Sequence, residues 1–375
     1  MRILMFYHTL LSDWNHGNAH FLRGIATELL ARGHEVQVLE PRNSWSANSL
    51  LREQGLIPFR KFHAAYPGLK AVRYDPDSCD LEEVLDGADV VIVHEWNDPG
   101  LVSRIGGQRS RAGGFRLYFH DTHHRMVTDP QSMSKYDLSS YDGVLAYGNV
   151  LKELYETGGR VQRAWTWHEA ADTRVFHPLR GGNIEGDVVW IGNWGDEERT
   201  SELQEFLIEP CRSLGLNARV YGVRYPQTAL HALAVSGIHY AGWLPNFEVP
   251  RVFSQFHITV HIPRRPYVNA LPGIPTIRPF EALACGIPLV SSPWHDAEGL
   301  FTPGSDFLVA RGGQEMKQHL RTLLADHELR SGLAANGLRT ILARHTCAHR
   351  VDELLAIDAS VRGNKPRRKN VPLNV

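Results

Sequence analysis

One stretch of this sequence combines residue types that can bind an anion and a neighbouring diol. It covers residues 271–294 and reads LPGIPTIRPFEALACGIPLVSSPW. Pro272, Gly273 and Pro275 prevent regular structure at its start, so we expect a tight loop there. The residues IPLVSS near its end predict a buried parallel strand.

A short helix is predicted between this loop and the strand. Thr276 can cap the helix, Pro279 is tolerated in its first turn, and Gly286 ends it. The free N–H groups and the dipole of the helix N-terminus would point at the loop, where a phosphate can bind. Arg278 lies in the first turn and can add a charge-assisted hydrogen bond. The Glu281 carboxylate, about one turn further along, suits the diol of a ribose.

Spacing alone leaves two interpretations of this stretch open. It is either an anion site or a structural helix–strand unit with an exposed first turn, because most helix N-termini bind nothing. The choice between the two depends on other features of the chain.

The amino-acid sequence of this stretch resembles that of a known family. FEALACGIPLVSS resembles the C-terminal motif of retaining GT-B glycosyltransferases of the family-4 type, and PTIRPFEALACG is most similar to the branch of the spore-maturation protein CgeB. The resemblance implies an α/β protein with two Rossmann-like domains facing each other across a cleft. It also implies that Glu281 binds the ribose of a nucleotide sugar and that Thr276, Ile277 and Arg278 hold its diphosphate. The family has a second glutamate near the donor sugar, and the matching position here is Gly273. The family's contacts to the donor sugar are therefore not assigned to residues of this chain.

Length and composition agree with two ordinary domains. The chain has 375 residues, of which 43% are apolar and 22% charged, with a formal net charge of −1. This balance does not indicate a nucleic-acid partner. No apolar run approaches the roughly 18 residues that a membrane span needs. The four cysteines lack metal or redox spacing, so we expect free thiols in a reducing cytoplasm.

The N-terminal residues predict a strand, a helix and a second strand. RILMFYH is a near-continuous apolar run, FLRGIATELLARG is amphipathic and closed by Gly33, and HEVQVLEP returns as a strand. The loop after the first strand should face a cleft, although it lacks the GxGxxG of a dinucleotide site. By the resemblance, its residues His16, Gly17 and Asn18 close over the donor phosphate and the acceptor. The alternative is an ordinary strand–helix loop.

Two further predicted strands of the first half end in polar residues. ADVVIVHEW and FRLYFHDTHH should both reach the edge of the sheet where ligands bind. HDTHH admits a metal interpretation, but its spacing matches no common site, and solvated loop residues are the simpler view of His123 and His124. LYFHDT resembles the family segment whose histidine lines the active site near the transferred sugar, which implies that His120 is catalytic.

The alternation of predicted strands and helices along the chain indicates the domain organisation. We expect a first domain at residues 1–179, a Gly-rich linker near 180–186, and a nucleotide-sugar-binding domain at 183–344. By the resemblance, a helix at about 345–358 crosses back to the first domain. The basic tail at 360–375 lacks periodicity and is predicted to be disordered.

Two segments outside the main motif allow more than one interpretation. The crossing segment RVQRAWTWHEAADTRVFHP carries Trp165, Trp167 and His168, which either stack on a ligand at the cleft floor or only pack the domains together. Residues 307–357 have helical periodicity, with a break expected at Gly337.

The resemblance assigns the donor to turns of the second half. A basic residue at the head of the helix after the first strand there, here Arg199, would reach the diphosphate. Arg264 and Arg265 precede the phosphate loop, and at least one of them is a candidate for donor contact. The full set of further donor candidates is Gly192, Asn193, Tyr221, Gly242, Trp243 and Arg265.

The expected function is that of a hexosyltransferase in carbohydrate biosynthesis. A sugar would pass from a nucleoside diphosphate to an acceptor hydroxyl with retention and without a metal or other cofactor, UDP-sugars being favoured donors. Carbohydrate, lipid or small-molecule acceptors are expected. The alternatives are a nucleotide-sugar epimerase of the same architecture and a non-catalytic protein that binds sugar nucleotides or glycans. Turnover with and without an acceptor separates the three.

Overall fold

Two parallel β-sheets with packed helices make up the chain. The computed structural model describes residues 1–179 and 181–363. Within these residues, no helix has the length and apolar character to cross a membrane. Each sheet with its helices forms one Rossmann-like domain, as the sequence predicts.

The first sheet has seven parallel strands. They are β1 (Arg2–Phe6), β2 (Glu35–Pro41), β3 (Ala71–Tyr74), β4 (Val90–His94), β5 (Arg116–Asp121), β6 (Gly143–Ala146) and β7 (Ala164–Thr166). The helices between them are α1 (Ala19–Ala31), α2 (Trp45–Gln54), α3 (Ile57–Ala65), α4 (Leu81–Leu85), α5 (Pro99–Ala112), α6 (Arg125–Thr128), α7 (Pro130–Met133) and α8 (Asn149–Thr157). The strand order is β3-β2-β1-β4-β5-β6-β7, so the order reverses between β1 and β4.

The second sheet has six parallel strands. They are β8 (Gly186–Ile191), β9 (Ala218–Tyr221), β10 (His239–Tyr240), β11 (Phe256–His261), β12 (Leu289–Ser291) and β13 (Leu308–Val309). The helices that follow β8 in the chain are α9 (Thr200–Leu203), a π-helical segment (Gln204–Ile208), α10 (Glu209–Leu214), α11 (Gln227–Val235), a 3-10 turn (Asn246–Glu248), α12 (Val249–Phe253), α13 (Arg265–Ala270), α14 (Ile277–Ala284), α15 (Gly313–Ala325), α16 (His327–Arg344) and α17 (Cys347–Gly363). The order β10-β9-β8-β11-β12-β13 reverses between β8 and β11.

The apolar first strand explains how the first sheet is covered. Side chains of a strand alternate between the two faces of its sheet. Ile3 and Met5 accordingly enter one buried cluster, while Leu4 and Phe6 enter another. Both faces of the sheet are therefore packed against helices, which is why β1 is apolar at consecutive positions.

The predicted strand–helix–strand opening is confirmed by β1, α1 and β2. Gly33 follows α1 with φ of +79°, a conformation that glycine adopts without steric cost. The predicted break at Gly337 is wrong, because α16 continues through this residue. A Cβ atom there would lie 2.6 Å from Leu283 Cδ2 and 3.0 Å from the Asp306 carbonyl oxygen, so the glycine permits close packing of α16 on α14.

The last helix, α17, packs against the first domain. The Arg116 side chain of β5 donates from Nε to Asp358 Oδ1 at 2.6 Å and from Nη2 to Oδ2 at 3.0 Å. The indole Nε1 of Trp167 donates to the Arg350 carbonyl oxygen at 2.8 Å. Trp167 is fully buried against Phe21 of α1 and His120 of β5, so it packs α17 onto the first domain and does not face a ligand.

The ends of the predicted segments differ in part from the observed elements. Residues 360–363 belong to α17, whereas the sequence assigned them to a disordered tail. The rest of that tail, residues 364–375, and Arg180 of the predicted linker lie outside the described residues.

The Asp358–Arg116 pair generates a stability prediction. Replacing Asp358 with alanine leaves the buried Arg116 charge without its partner, so we expect a loss of about 3–5 kcal/mol in the free energy of unfolding. Urea denaturation followed by circular dichroism measures it.

Asp352→Ala on the same helix is the matched control. Asp352 is 66% exposed in its ion pair with Arg32, so its loss should cost at most about 1 kcal/mol. Equal effects of the two substitutions would contradict the role of Asp358 in anchoring α17.

Candidate active site

A cavity of about 470 Å³ lies between the two domains. Residues that follow β1 and β4 line it from the first domain, and residues that follow β8 and β11 line it from the second. These are the strand ends at which each sheet reverses its order, where open α/β sheets bind ligands. The topology therefore brings loops that are distant in sequence to one space.

The turn before α14 contributes three residues to the cavity wall: Thr276, Ile277 and Arg278. Thr276 occupies the N-cap position, but its side chain makes no capping hydrogen bond, contrary to the prediction. Its φ of +62° is unusual for a residue other than glycine and marks local backbone strain. The uncapped N-terminus of α14 presents main-chain donors and the positive end of the helix dipole to the cavity.

Arg199 lines the cavity next to this turn. Its Nη1 donates to the Ile262 carbonyl oxygen at 2.7 Å and its Nη2 to that of Asn193 at 2.6 Å. Its buried Nε has no hydrogen-bond partner among the described residues. Burial and the nearby Arg264 lower the pKa of Arg199 to about 9. An anion in the cavity would relieve both effects, so the geometry of Arg199 suits an anionic ligand.

Glu281 lies behind the cavity wall, and its carboxylate is fully buried. Its Oε1 accepts from His20 Nδ1 at 2.9 Å and from Asn246 Nδ2 at 2.7 Å, while its Oε2 accepts from Arg278 Nη1. Burial opposes ionisation, but Arg278 and the two hydrogen bonds hold the pKa of the carboxyl below its ordinary value. Because the carboxylate is buried and does not line the cavity, the ribose contact implied by the resemblance stays a prediction.

Asp13 makes a second polar connection between the domains. It accepts from Arg23 Nη1 at 2.8 Å within the first domain. From the second domain it accepts from Trp243 Nε1 at 3.1 Å and from the main-chain N–H of Asn246 at 3.0 Å. The Asp13 carboxylate therefore fixes one edge of the cavity.

The first-domain wall contains polar groups without partners. Buried and unpaired among the described residues are His16 Nε2 and both side-chain polar atoms of Asn18. Burial, His8 and Arg23 hold the pKa of His16 well below its ordinary value, so its ring is neutral. Since unpaired buried polar groups are uncommon, these atoms point to a polar ligand.

Three aromatic rings stand near these polar groups. The His8 ring stacks on Trp45 with centroids 5.1 Å apart and meets His16 edge-on at 4.3 Å. Trp45 and Trp96 line the cavity and are partly exposed. Flat aromatic faces of this kind suit the apolar face of a sugar ring.

His120, the predicted catalytic histidine, is fully buried and does not line the cavity. Its Nδ1 shares a hydrogen bond of 2.6 Å with the Tyr7 hydroxyl, and its ring packs edge-on against Trp167. Burial lowers its pKa to about 3. His123 and His124 lie in the wall instead, whereas the sequence favoured solvated loop positions for them. Within the described residues no three metal-ligating side chains converge.

The structure brings most, but not all, of the predicted site residues together. Those lining the cavity are His16, Gly17, Asn18, Gly192, Asn193, Arg199, Tyr221, Trp243, Thr276, Ile277 and Arg278. Those outside it are His120, Gly242, Arg265 and Glu281. Gly242 shapes the adjacent turn, where its carbonyl oxygen accepts from the Gly222 N–H at 2.8 Å. Arg265 borders a separate shallow groove.

Some wall residues were not identified from the sequence. The clearest is Glu169, a buried carboxyl in the crossing segment. The available signal was an acidic residue in AWTWHEAA, a run of mostly apolar and aromatic residues.

Comparisons with known proteins agree with this architecture. Residues 199–356 match the sequence profile of a family described as glycosyl transferase-like. This range begins at Arg199, includes α14 and ends within α17. The chain therefore carries a glycosyltransferase-like domain. No curated protein matches the sequence.

Solved structures share the fold of nearly the whole chain. Sucrose-phosphate synthase from Thermosynechococcus elongatus has a TM-score of 0.66 at 13% identity, over 97% of this chain and 100% of that chain. HepE from Anabaena, in complex with UDP, has a TM-score of 0.66 at 14% identity, over 96% and 100%. An alpha-glucosyltransferase in complex with UDP and a 13-mer DNA has a TM-score of 0.67 at 12% identity, over 96% and 99%. These similarities confirm the predicted GT-B fold.

The unpaired Nε of Arg199 generates a binding prediction. Arg199→Ala should weaken UDP binding about ten- to hundredfold, as expected for the loss of a hydrogen bond to a charged group. Isothermal titration calorimetry measures the affinity.

Arg265→Ala is the matched control, because Arg265 lies outside the cavity and should leave UDP affinity unchanged within about twofold. An Arg199→Ala variant that folds and binds UDP as tightly as the wild type would remove Arg199 from the site.

The Glu281 network generates a second prediction. Glu281→Gln should lower the melting temperature, because the partly buried Arg278 loses its counter-charge. If Glu281 holds the domains and does not touch ribose, the affinity losses caused by Glu281→Gln and by a 2′,3′-dideoxy nucleotide should add.

The ribose contact implied by the resemblance gives the opposite result. The dideoxy nucleotide would then bind the variant almost as well as the normal nucleotide does. Calorimetry on the four combinations of protein and nucleotide distinguishes the two cases.

Proposed function

We propose that this protein is a glycosyltransferase that moves a hexosyl group from a nucleoside-diphosphate sugar to an acceptor hydroxyl group. The observation that carries the proposal is a cavity in which Arg199 and the N-terminus of α14 face the same space. This combination suits a diphosphate. UDP-sugars are the favoured donors, and the presence of UDP in the HepE and alpha-glucosyltransferase structures supports that choice.

The donor lies with its diphosphate on the second domain in this proposal. Arg199, Arg264 and the main-chain N–H groups at Thr276 and Ile277 surround the position where negative charge grows as the glycosidic bond breaks. Fixed dipoles and cations of this kind stabilise the departing group without reorganising during the reaction. No metal ion is needed for that step.

The transfer proceeds with retention by attack from the same face. The bond between the anomeric carbon and the diphosphate oxygen breaks, and the acceptor oxygen bonds to the anomeric carbon on that face. The acceptor proton passes to the departing phosphate oxygen. Because the phosphate serves as the base, the step requires no protein nucleophile.

The acceptor enters from the first domain. The unpaired polar atoms of His16 and Asn18 supply hydrogen bonds, and Trp45 and Trp96 supply flat apolar surface. These groups suit a carbohydrate, the sugar-like head of a lipid or another small polar molecule. The net charge of −1 gives no support for a nucleic-acid acceptor.

Two finer assignments accompany the proposal. The segment PTIRPFEALACG supports a place in the CgeB-like branch and in carbohydrate biosynthesis. The four free cysteine thiols fit a reducing compartment, so we propose the cytoplasm as the location.

A donor screen tests the proposed function. The protein is mixed with UDP-, GDP-, dTDP- and CDP-sugars, and its melting temperature is recorded. A sugar nucleotide at 100 times its dissociation constant adds about 2.7 kcal/mol to stability, which is a clear shift. The best ligand is then incubated with and without candidate acceptors. Acceptor-dependent release of nucleoside diphosphate supports transfer, an altered sugar without acceptor indicates epimerisation, and binding without turnover indicates a binding protein.

Metal independence generates a further prediction. Full activity should persist in EDTA, because the proposed phosphate ligands are N–H groups and arginines. The rate is measured before and after chelation, and again with added Mg²⁺ or Mn²⁺. Complete loss in EDTA that a divalent ion restores would contradict the prediction and favour a metal-assisted step.

A further inference from the structure

Glu169 places a carboxyl group in the cavity wall between the two domains. It follows β7 in the segment that crosses to the second domain, and it is 6% exposed. The group belongs to neither the phosphate turn nor the first-domain loop that carries His16. The phosphate contacts and the first-domain contacts proposed for the ligand therefore do not account for a carboxyl group at this position.

The Glu169 carboxyl differs from the other carboxyls at this domain junction. Glu281 accepts from His20 and Asn246, while Glu298 accepts from the Asn149 N–H at 2.8 Å and shares a hydrogen bond of 2.9 Å with His168 Nε2. The carboxyl of Glu169 has no hydrogen-bond partner among the described residues. Because the side chain lines the cavity and its carboxyl is not engaged by the protein, the carboxyl is available to a ligand group.

The surroundings of Glu169 determine its protonation. Burial and the negative charge of Glu281 raise its pKa to about 8, while Arg278 acts in the opposite direction. The titratable or charged groups that face it or its main chain are Arg278 and Glu281 of α14, Tyr147 after β6, Tyr267 of α13 and Arg350 of α17. At neutral pH the group is a carboxylic acid, which can donate one hydrogen bond and accept another.

We propose that the Glu169 carboxyl group binds a hydroxyl group of the transferred sugar, donating one hydrogen bond and accepting another. This inference rests on the proposed function, because it assigns the sugar end of the same donor. A sugar hydroxyl both donates and accepts, so it complements a carboxylic acid. A phosphate group prefers cations and N–H donors, which the α14 turn and Arg199 provide.

The test compares a nucleotide sugar with its nucleotide. The ratio of the two dissociation constants gives the contribution of the sugar. UDP-glucose, UDP-galactose, UDP-N-acetylglucosamine and GDP-mannose are compared with UDP or GDP by calorimetry, and the tightest pair is used. Glu169→Ala should reduce the sugar contribution about tenfold while leaving nucleotide affinity unchanged within about twofold.

The variant Glu169→Gln tests whether the Glu169 carboxyl binds the sugar in its neutral or in its ionised form. The amide keeps a donor and an acceptor, so this variant should retain the sugar contribution and kcat/KM within about threefold. Glu298→Gln is the matched control: its carboxyl lies at the same junction but does not line the cavity, so its sugar contribution should equal that of the wild type.

The pH profile supplies an independent readout. Wild-type kcat/KM should fall as pH rises through about 8, because the ionised group loses its donor and adds charge near Glu281. Glu169→Gln should lack this decrease. Glu95, whose pKa burial raises to about 8, and Arg199, whose pKa is about 9, are present in both proteins. A decrease that persists in the variant therefore comes from them and overturns the assignment.

Two further results would overturn the inference. Equal damage by glutamine and alanine would mean that the carboxylate acts as an anion, and an unchanged sugar contribution in Glu169→Ala would mean that the group does not touch the sugar. Failure of the proposed function is distinguishable, since the wild type would then show no acceptor-dependent release of nucleoside diphosphate, whatever the sugar contributes to binding.

Discussion

The fully buried carboxylate of Glu281 joins the two domains through His20. A carboxylate removed from water is stable only when it is both paired and hydrogen-bonded. Arg278 supplies the opposite charge, and His20 and Asn246 supply the hydrogen bonds. Because His20 belongs to α1 of the first domain and the other two partners to the second, the ionised state of Glu281 and this domain arrangement stabilise each other. The cavity therefore takes its shape from a contact that lies behind its wall.

The ion pair between Arg278 and Glu281 also affects how much positive charge the cavity offers to a ligand. Arg278 lines the cavity, but Glu281 compensates its charge. Arg264 is compensated in part by Glu198 at 3.1 Å. The side-chain hydrogen bonds of Arg199 go to main-chain carbonyl groups, which carry no net charge. The field at the phosphate turn therefore comes mainly from Arg199 and the dipole of α14.

The sequence predicts the fold and the strand-end loops of the site, but not how buried side chains pair. Local apolar patterns indicate β1, α1 and α14, and the topology of parallel sheets brings their loops into one cleft. Glu281 and His120 were expected to face that cleft because they lie near its edge in sequence. Their actual directions depend on partners far along the chain, such as Tyr7 for His120. Gly337 was misjudged for the same reason, since its role is set by contact with Leu283.

Gly273, the departure from the resembling family's motif, has a physical cause in the domain junction. Its φ is +89°, and a Cβ atom there would lie 2.7 Å from Glu298 Oε1. Glu298 needs this space, because it accepts from the Asn149 N–H and shares a hydrogen bond with His168 across the junction. A glutamate at position 273 would meet both steric conflict and a like charge. The position that carries a glutamate near the donor sugar in the resembling family is therefore a glycine here. A carboxyl group that still lines the cavity without a hydrogen-bond partner in the described part of the chain is that of Glu169, in the segment that crosses between the domains.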